Sequence, residues 1–315
     1  MNRVGAFGLG IALLLGTYFG VARPWFRNWG ATASERVRSL PGDEVLPNAV
    51  EQGTRAITIQ AAPERVFAWL AQTGQDRGGF HSYELLEDLV GGEMENLDYL
   101  DHELQRWALG DKLWMYPPEK VGGAGHATLV AMVPGRALTF ATRQMGTTLA
   151  EPADGTWSFV VEPITGAEPS SRLLIRGRAL GGLSTGARIF DDLVFEGMHF
   201  AMERRMMEVV KARAEGRVVN RGRDDVMVIL WFVVGAAGVV AAGQALAGRQ
   251  PGRRLAVFVA AGLWFQLLTF VQPTPIVGVP LTLLLLAAGW WPRGKAVPRS
   301  MTHTRKLATL VAEAK

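Results

Sequence analysis

Five residues able to support acid-base chemistry, Asp76, Arg77, His81, Tyr83 and Glu84, fall within nine positions of this 315-residue chain. Near neutral pH an imidazole can remove a proton, and a phenol or carboxylic acid can return one. On that chemistry His81 is the candidate base and Tyr83 the candidate acid, with Glu84 and Asp76 beside them. A structural reading uses the same residues differently. Asp76 and Arg77 would form an ion pair, His81 and Tyr83 would hydrogen-bond backbone, and Gly78-Gly79 would make a turn.

Other short patterns carry no chemistry. His102-Glu103-Leu104-Gln105-Arg106 begins like a zinc-protease helix but has Arg where the second histidine ligand must stand. The run Gly74-Gln75-Asp76-Arg77-Gly78-Gly79 lacks both the Lys-Ser/Thr ending of a phosphate loop and the glycine spacing of a dinucleotide motif. His81, His102, His126 and His199 are spread along the chain, so no metal and no cofactor are expected. With no cysteine in the sequence, disulfides, thiolate ligands and cysteine nucleophiles are excluded. The net charge is +4, yet the basic residues gather beside apolar segments. Membrane flanking explains them better than nucleic-acid binding.

The elements that must position these residues follow from periodicity. Residues 54–60 alternate, with Ile57 and Ile59 on one face, as a half-buried strand does. A helix starts at Pro63, with Glu64 in its first turn and Val66, Trp69 and Leu70 on one side. Further strands are expected at 112–116, 127–133, 137–143, 155–162 and 171–179; Trp157, Phe159 and Val161 alternate with Thr156 and Ser158. Such close spacing implies an antiparallel meander. A last helix, 191–215, repeats Phe195, Met198, Met202, Met206 and Val209 at helical spacing, with Glu203, Arg204, Glu208 and Lys211 elsewhere. Methionine adapts to varied neighbours, so this stripe lines either a ligand cavity or an ordinary core. Arg172, Arg176 and Arg178, with Arg143, form either a solvated sheet face or a site for an acidic headgroup.

The order strand, helix, polar Gly-rich segment, antiparallel strands and long final helix resembles the SRPBCC superfamily, the START-like and polyketide cyclase/dehydrase-like proteins. The segments that carry the likeness are APERVFAWLAQTGQDRGGFHSYELLEDL, HELQRWALGD and MHFAMERRM, within residues 54–215. The resemblance implies an α+β helix-grip domain, in which a curved antiparallel sheet wraps a long C-terminal helix around a hydrophobic cavity. It implies a lipid or other hydrophobic small molecule as partner, with Trp69, Phe80, Trp157, Phe159, Met198, Met202 and Met206 as candidate ligand-binding residues. The family supplies no shared catalytic set, and appended membrane helices depart from its many soluble members.

About four transmembrane helices are expected. Residues 4–22 carry no charge and are long enough to cross a bilayer; the rival reading is a cleaved signal peptide. Residues 226–247 form a second span, whose Ala237, Gly238, Ala241 and Ala242 invite close helix packing. The uncharged run that follows is too long for one helix, and Gln272-Pro273-Thr274-Pro275 divides it into spans at 255–271 and 276–292. The expected organisation is an anchor at 1–30, a connector at 31–53, a START-like domain at 54–220, three spans within 221–292 and a basic tail at 293–315. Arg249, Arg253 and Arg254, with the tail, favour the cytoplasm, while Arg23, Arg27, Arg36 and Arg38 after the first span and Lys211, Arg213, Arg217, Arg221 and Arg223 before the second pull the other way. Weighting the short loop and tail more heavily leaves the middle domain on the extracytoplasmic side of the cell membrane. The functions in view are apolar-ligand binding, a cyclase or dehydratase acting on an apolar substrate, and a non-catalytic component of a membrane complex, with a membrane-protein partner or homo-oligomer.

Overall fold

The computed structural model describes residues 2–120, 125–143, 153–248 and 251–290. The basic tail, Arg249 and Trp291 lie outside the described residues. The chain opens with α1 (Arg3–Thr17), which runs through a π turn (Tyr18–Ala22) into α2 (Arg23–Phe26) to make one rod of 24 residues. A short α3 (Ala33–Val37) follows, started by a capping box between Thr32 and Glu35.

Next come β1 (Glu51–Ile59), α4 (Pro63–Ala71), α5 (Glu84–Leu89), β2 (Lys112–Trp114), β3 (His126–Val133), β4 (Ala137–Thr142), β5 (Gly155–Ile164) and β6 (Ser170–Ala179). The strands form one curved antiparallel sheet in the order β1-β6-β5-β4-β3-β2, with an irregularity between Leu129 and Ala131. Alternation decides which residues go inward. Ile59, Leu129, Phe140, Phe159 and Ile175 face a core closed by Trp69 and Leu70 of α4. The other face is not left to water. Leu40 of the connector packs there on Ala56, Val160 and Leu174.

After the sheet, α6 (Thr185–Phe190) passes through a second π turn (Asp191–Phe195) into α7 (Glu196–Ala214). The helix starts six residues earlier than the expected 191, because Ser184 caps it by accepting a bond from the Ala187 amide. Two faces of α7 are buried for different reasons. Met206, Met207, Val210 and Ala214 close the sheet core, while Phe200 joins Tyr18, Phe26 and Phe270 in a separate aromatic cluster. A helix buried on two sides is one enclosed by two layers, and its charged Glu203, Arg205 and Arg213 are buried with it.

The second layer is α8 (Arg221–Leu246), α9 (Pro251–Phe270) and α10 (Pro275–Trp290) together with the N-terminal rod. Among the described residues three helices are long and apolar enough to cross a membrane: Arg3–Phe26, Arg221–Leu246 and Pro251–Phe270. The fourth span expected at 276–292 runs past the described residues. Within the described residues α10 has 16 residues, about 24 Å at 1.5 Å per residue, beside the roughly 30 Å of a hydrocarbon core. As expected, Gln272-Pro273-Thr274 breaks the apolar run between α9 and α10. Small residues set the helix spacing: a Cβ on Gly262 would come within 2.6 Å of Leu14, and one on Gly238 within 3.5 Å of Ala261.

Candidate functional site

The acid-base candidates are held by the loop from Gly74 to Gly79, which pairs its two ends, and by the start of α5. His81 adopts a left-handed backbone (φ 55°) and its amide donates to Asn96 Oδ1. Its ring is 1% exposed and lies edge-on to Trp69 at 5.6 Å. Neither ring nitrogen meets hydrogen-bond geometry, although a weak contact to the Trp69 backbone opposes the other effects. Burial, with Arg213 adding to it, pushes the His81 pKa down to about 3. A base this weak holds no proton at neutral pH.

Tyr83 turns away from His81's cavity, packing edge-on against Trp231 of α8 at 4.9 Å, and burial pushes its pKa well above the ordinary phenol range. Glu84 accepts the Asn96 amide at 2.7 Å and sits 3.5 Å from Arg221. Asp76 is exposed. Arg77 does not close an ion pair with it: its guanidinium donates to the carbonyls of Leu104 and Arg106 and stacks over Trp107 at 3.7 Å. His81 and Glu84 share a cavity of about 20 Å³, room for about one water. Tyr83 and Asp76 do not line it.

The ligand-binding candidates separate into two groups. Trp69, Trp157, Phe159 and Met206 belong to the sheet core, with Phe80 packed against it. Met202 packs instead in the cluster built by Met227, Trp231 and Leu268 of α8 and α9, and Met198 is half-buried on the turn before it. The stripe is split because α7 lies between two layers. Within the core an aromatic series runs inward from the π turn: Phe195 stacks on His199 at 5.6 Å, His199 meets Trp157 at 5.4 Å, and Trp157 contacts Phe80 at 6.4 Å and Phe159 at 4.6 Å.

At the middle of that series stands a buried polar group unforeseen in the periodicity reading. Glu203 accepts from Arg55 at 2.6 Å and from the Trp157 indole at 2.7 Å. Burial alone would raise its pKa, but Arg55, His199 and the two hydrogen bonds outweigh it and hold the carboxyl below the ordinary range. Burial lowers the pKa of His199, against the pull of Glu203 and with the help of Arg55. Arg55 also donates to the Phe26 carbonyl at 3.0 Å, which ties the end of the N-terminal rod to β1. The signal was present. Arg55 has the same strand parity as Ile57 and Ile59, so it points inward, where an arginine demands an acid.

The arginines of β6 are neither a solvated face nor an open headgroup site. Arg176 is 1% exposed and donates to Asp43, Thr54 and the carbonyls of Glu35 and Arg38. Arg172 pairs with Glu35 at 2.8 Å, whose pKa falls to about 2 through that bond, against its own burial. These arginines fasten the connector over the sheet. An opening of about 650 Å³ is a groove between the end of the rod, the start of β1 and α6. Its Arg23, Arg27 and Arg188 are paired with Glu51, Asp192 and Glu196.

No protein-family model matches this sequence, and no curated protein matches it. Among solved structures the chain is similar to a protein of Mesorhizobium loti, with 13% identity over 54% of this chain and 100% of that one and a TM-score of 0.27. It is similar to an AHSA1-like protein of Rhizobium etli at 14% identity, covering 53% and 83% with a TM-score of 0.26. A protein of Arthrobacter aurescens gives 16% identity, 58% and 94% coverage and a TM-score of 0.29.

Proposed function

We propose that this chain is a membrane-anchored binding protein that takes a lipid or other hydrophobic small molecule between its sheet and α7, from the side facing the bilayer. The observation that carries the reading is the unbroken aromatic series from exposed Phe195 through His199 and Trp157 to Phe80 and Phe159. Aromatic faces and thioethers accept apolar molecules of varied shape, and Met206 and Met207 lie beneath. The interior is filled by side chains, so uptake requires Phe80, Met198 and His199, all half-buried, to swing aside. Glu203, with Arg55, then offers the polar end of such a molecule a partner. An acid-base reaction would need His81, Tyr83, Glu84 and Asp76 around one substrate, and their separate environments favour binding over catalysis.

The proposed setting is a multi-pass membrane protein with the sheet domain on the extracytoplasmic side. Arg3 lies against Gly248, so the N-terminus and the basic α8–α9 loop share the end remote from the sheet, and positive charge favours the cytoplasm for that end. A photoactivatable fatty acid fed to membranes carrying the full chain tests the binding site. Cross-links at Phe80, Trp157 and Met198 are expected. Cross-links confined to the outer sides of α1, α8 and α9 would contradict it.

A further inference from the structure

We infer that α5 and the π turn after α6 are themselves embedded in the bilayer interface, with their apolar outer sides among the lipid headgroups and first methylenes. This rests on reading α1 and α8 as membrane spans. Depth is fixed by what each segment touches. The Tyr18 hydroxyl donates to the Asp192 carbonyl at 2.6 Å, and Tyr18 lies five residues inside Arg23, the first charge after the apolar run. Five helical residues are about 7–8 Å, and Asp192 also pairs with Arg23 itself, so the π turn reaches from the level at which α1 leaves the hydrocarbon to below it. On the other segment Tyr83 meets Trp231, six residues inside Asp225, the last charge before the apolar part of α8. That is about 9 Å. Glu84, next to Tyr83, lies 3.5 Å from Arg221 outside that charge, so α5 too straddles the level of the interface.

Both segments expose apolar side chains there. Ile189, Phe190, Leu193, Val194 and Phe195 are 45–55% exposed, and Leu89 and Val90 are 59% and 52% exposed. Against water these would be unpaired hydrophobic patches; at an interface they are what a monotopic helix buries. The charges that would resist are mostly partnered, and burial with its acidic neighbours raises the Asp191 pKa to about 6. Asp192 pairs with Arg23, Glu84 accepts the Asn96 amide and Asp88 accepts the Met94 amide. Glu87, buried with both oxygens unpartnered, is kept protonated up to about pH 8 by burial and its acidic neighbours.

The native chain has no cysteine, so single spin labels report cleanly. In the full chain reconstituted into phosphatidylcholine and phosphatidylglycerol vesicles, labels at Val194→Cys and Leu89→Cys are compared with Val239→Cys on the exposed side of α8 and Gly166→Cys in the β5–β6 turn. The expected result is that Val194 and Leu89 gain oxygen accessibility and lose access to a water-soluble nickel chelate, at a depth shallower than Val239. If both report like Gly166 while Val239 reports lipid, the inference is overturned and the spans stand. A Val239 label exposed to the chelate would overturn both.

Discussion

Arg55 and Glu203 are the pair on which the interior depends, and each is costly to strand. Removing one partner of a buried ion pair commonly costs about 3–5 kcal/mol because the other charge is left without compensation. Arg55→Met should therefore lower the unfolding free energy by about that much, and Arg55→Met with Glu203→Gln should recover most of it; denaturant unfolding in detergent followed by tryptophan fluorescence reads both. Glu87 and His81 act on stability in opposite senses. Native Glu87 holds its proton to about pH 8 while the unfolded carboxyl releases it near 4.5, so the native state binds more protons in that window and stability falls as pH rises through it. Glu87→Gln should show an advantage over the parent that grows from about pH 5 to about pH 8. Native His81 refuses a proton down to about 3 whereas the unfolded ring takes one near 6.5, so its contribution is lost as pH falls through that range; its imidazole shifts should stay flat in an NMR titration from about pH 5 to about pH 8. None of these environments could be read from residue types alone. The cluster of Asp76, Arg77, His81, Tyr83 and Glu84 is close in sequence, but the left-handed backbone at His81 and the turn into α5 send neighbouring side chains to different layers.

At the scale of elements, the connector does what its polar composition conceals. Gly42 stands at φ 97°, and a Cβ there would come within 2.0 Å of Thr139 Oγ1, so the chain presses directly onto the sheet. Gly42→Val should lift it, and limited proteolysis within residues 31–48 should accelerate while the rest of the domain stays protected; unchanged cleavage would show that Arg172 and Arg176 suffice alone. The strands were legible because each alternates, as Trp157, Phe159 and Val161 do, and α4 was legible from Pro63. The true start of α6 and the split of the methionine stripe were not. Spacing identifies which residues share a helix face, but not that a second layer waits on the opposite face, as Phe200 and Met202 find it.

For the whole molecule, the sheet domain and the apolar helices form one packed body, joined by Gln272 donating to the Ala201 carbonyl at 2.9 Å, Arg204 donating to the Phe270 carbonyl at 2.5 Å and Arg205 paired with Asp224 at 2.8 Å. Among the described residues, sequence hydropathy located three helices long and apolar enough to cross a membrane, since absence of charge over a span's length is a property of composition, and Pro273 and Pro275 marked the turn between α9 and α10. Orientation is read by Gly166→Cys, which should react with an impermeant thiol reagent on intact cells if the domain is extracytoplasmic and remain protected if it is not. Native mass spectrometry of the full chain, purified in detergent, should find an apolar molecule retained by the parent and lost from Phe80→Asp, a half-buried position, at a temperature where circular dichroism shows the variant still folded. Equal retention by both proteins, or none by the parent, would contradict a binding site between the sheet and α7.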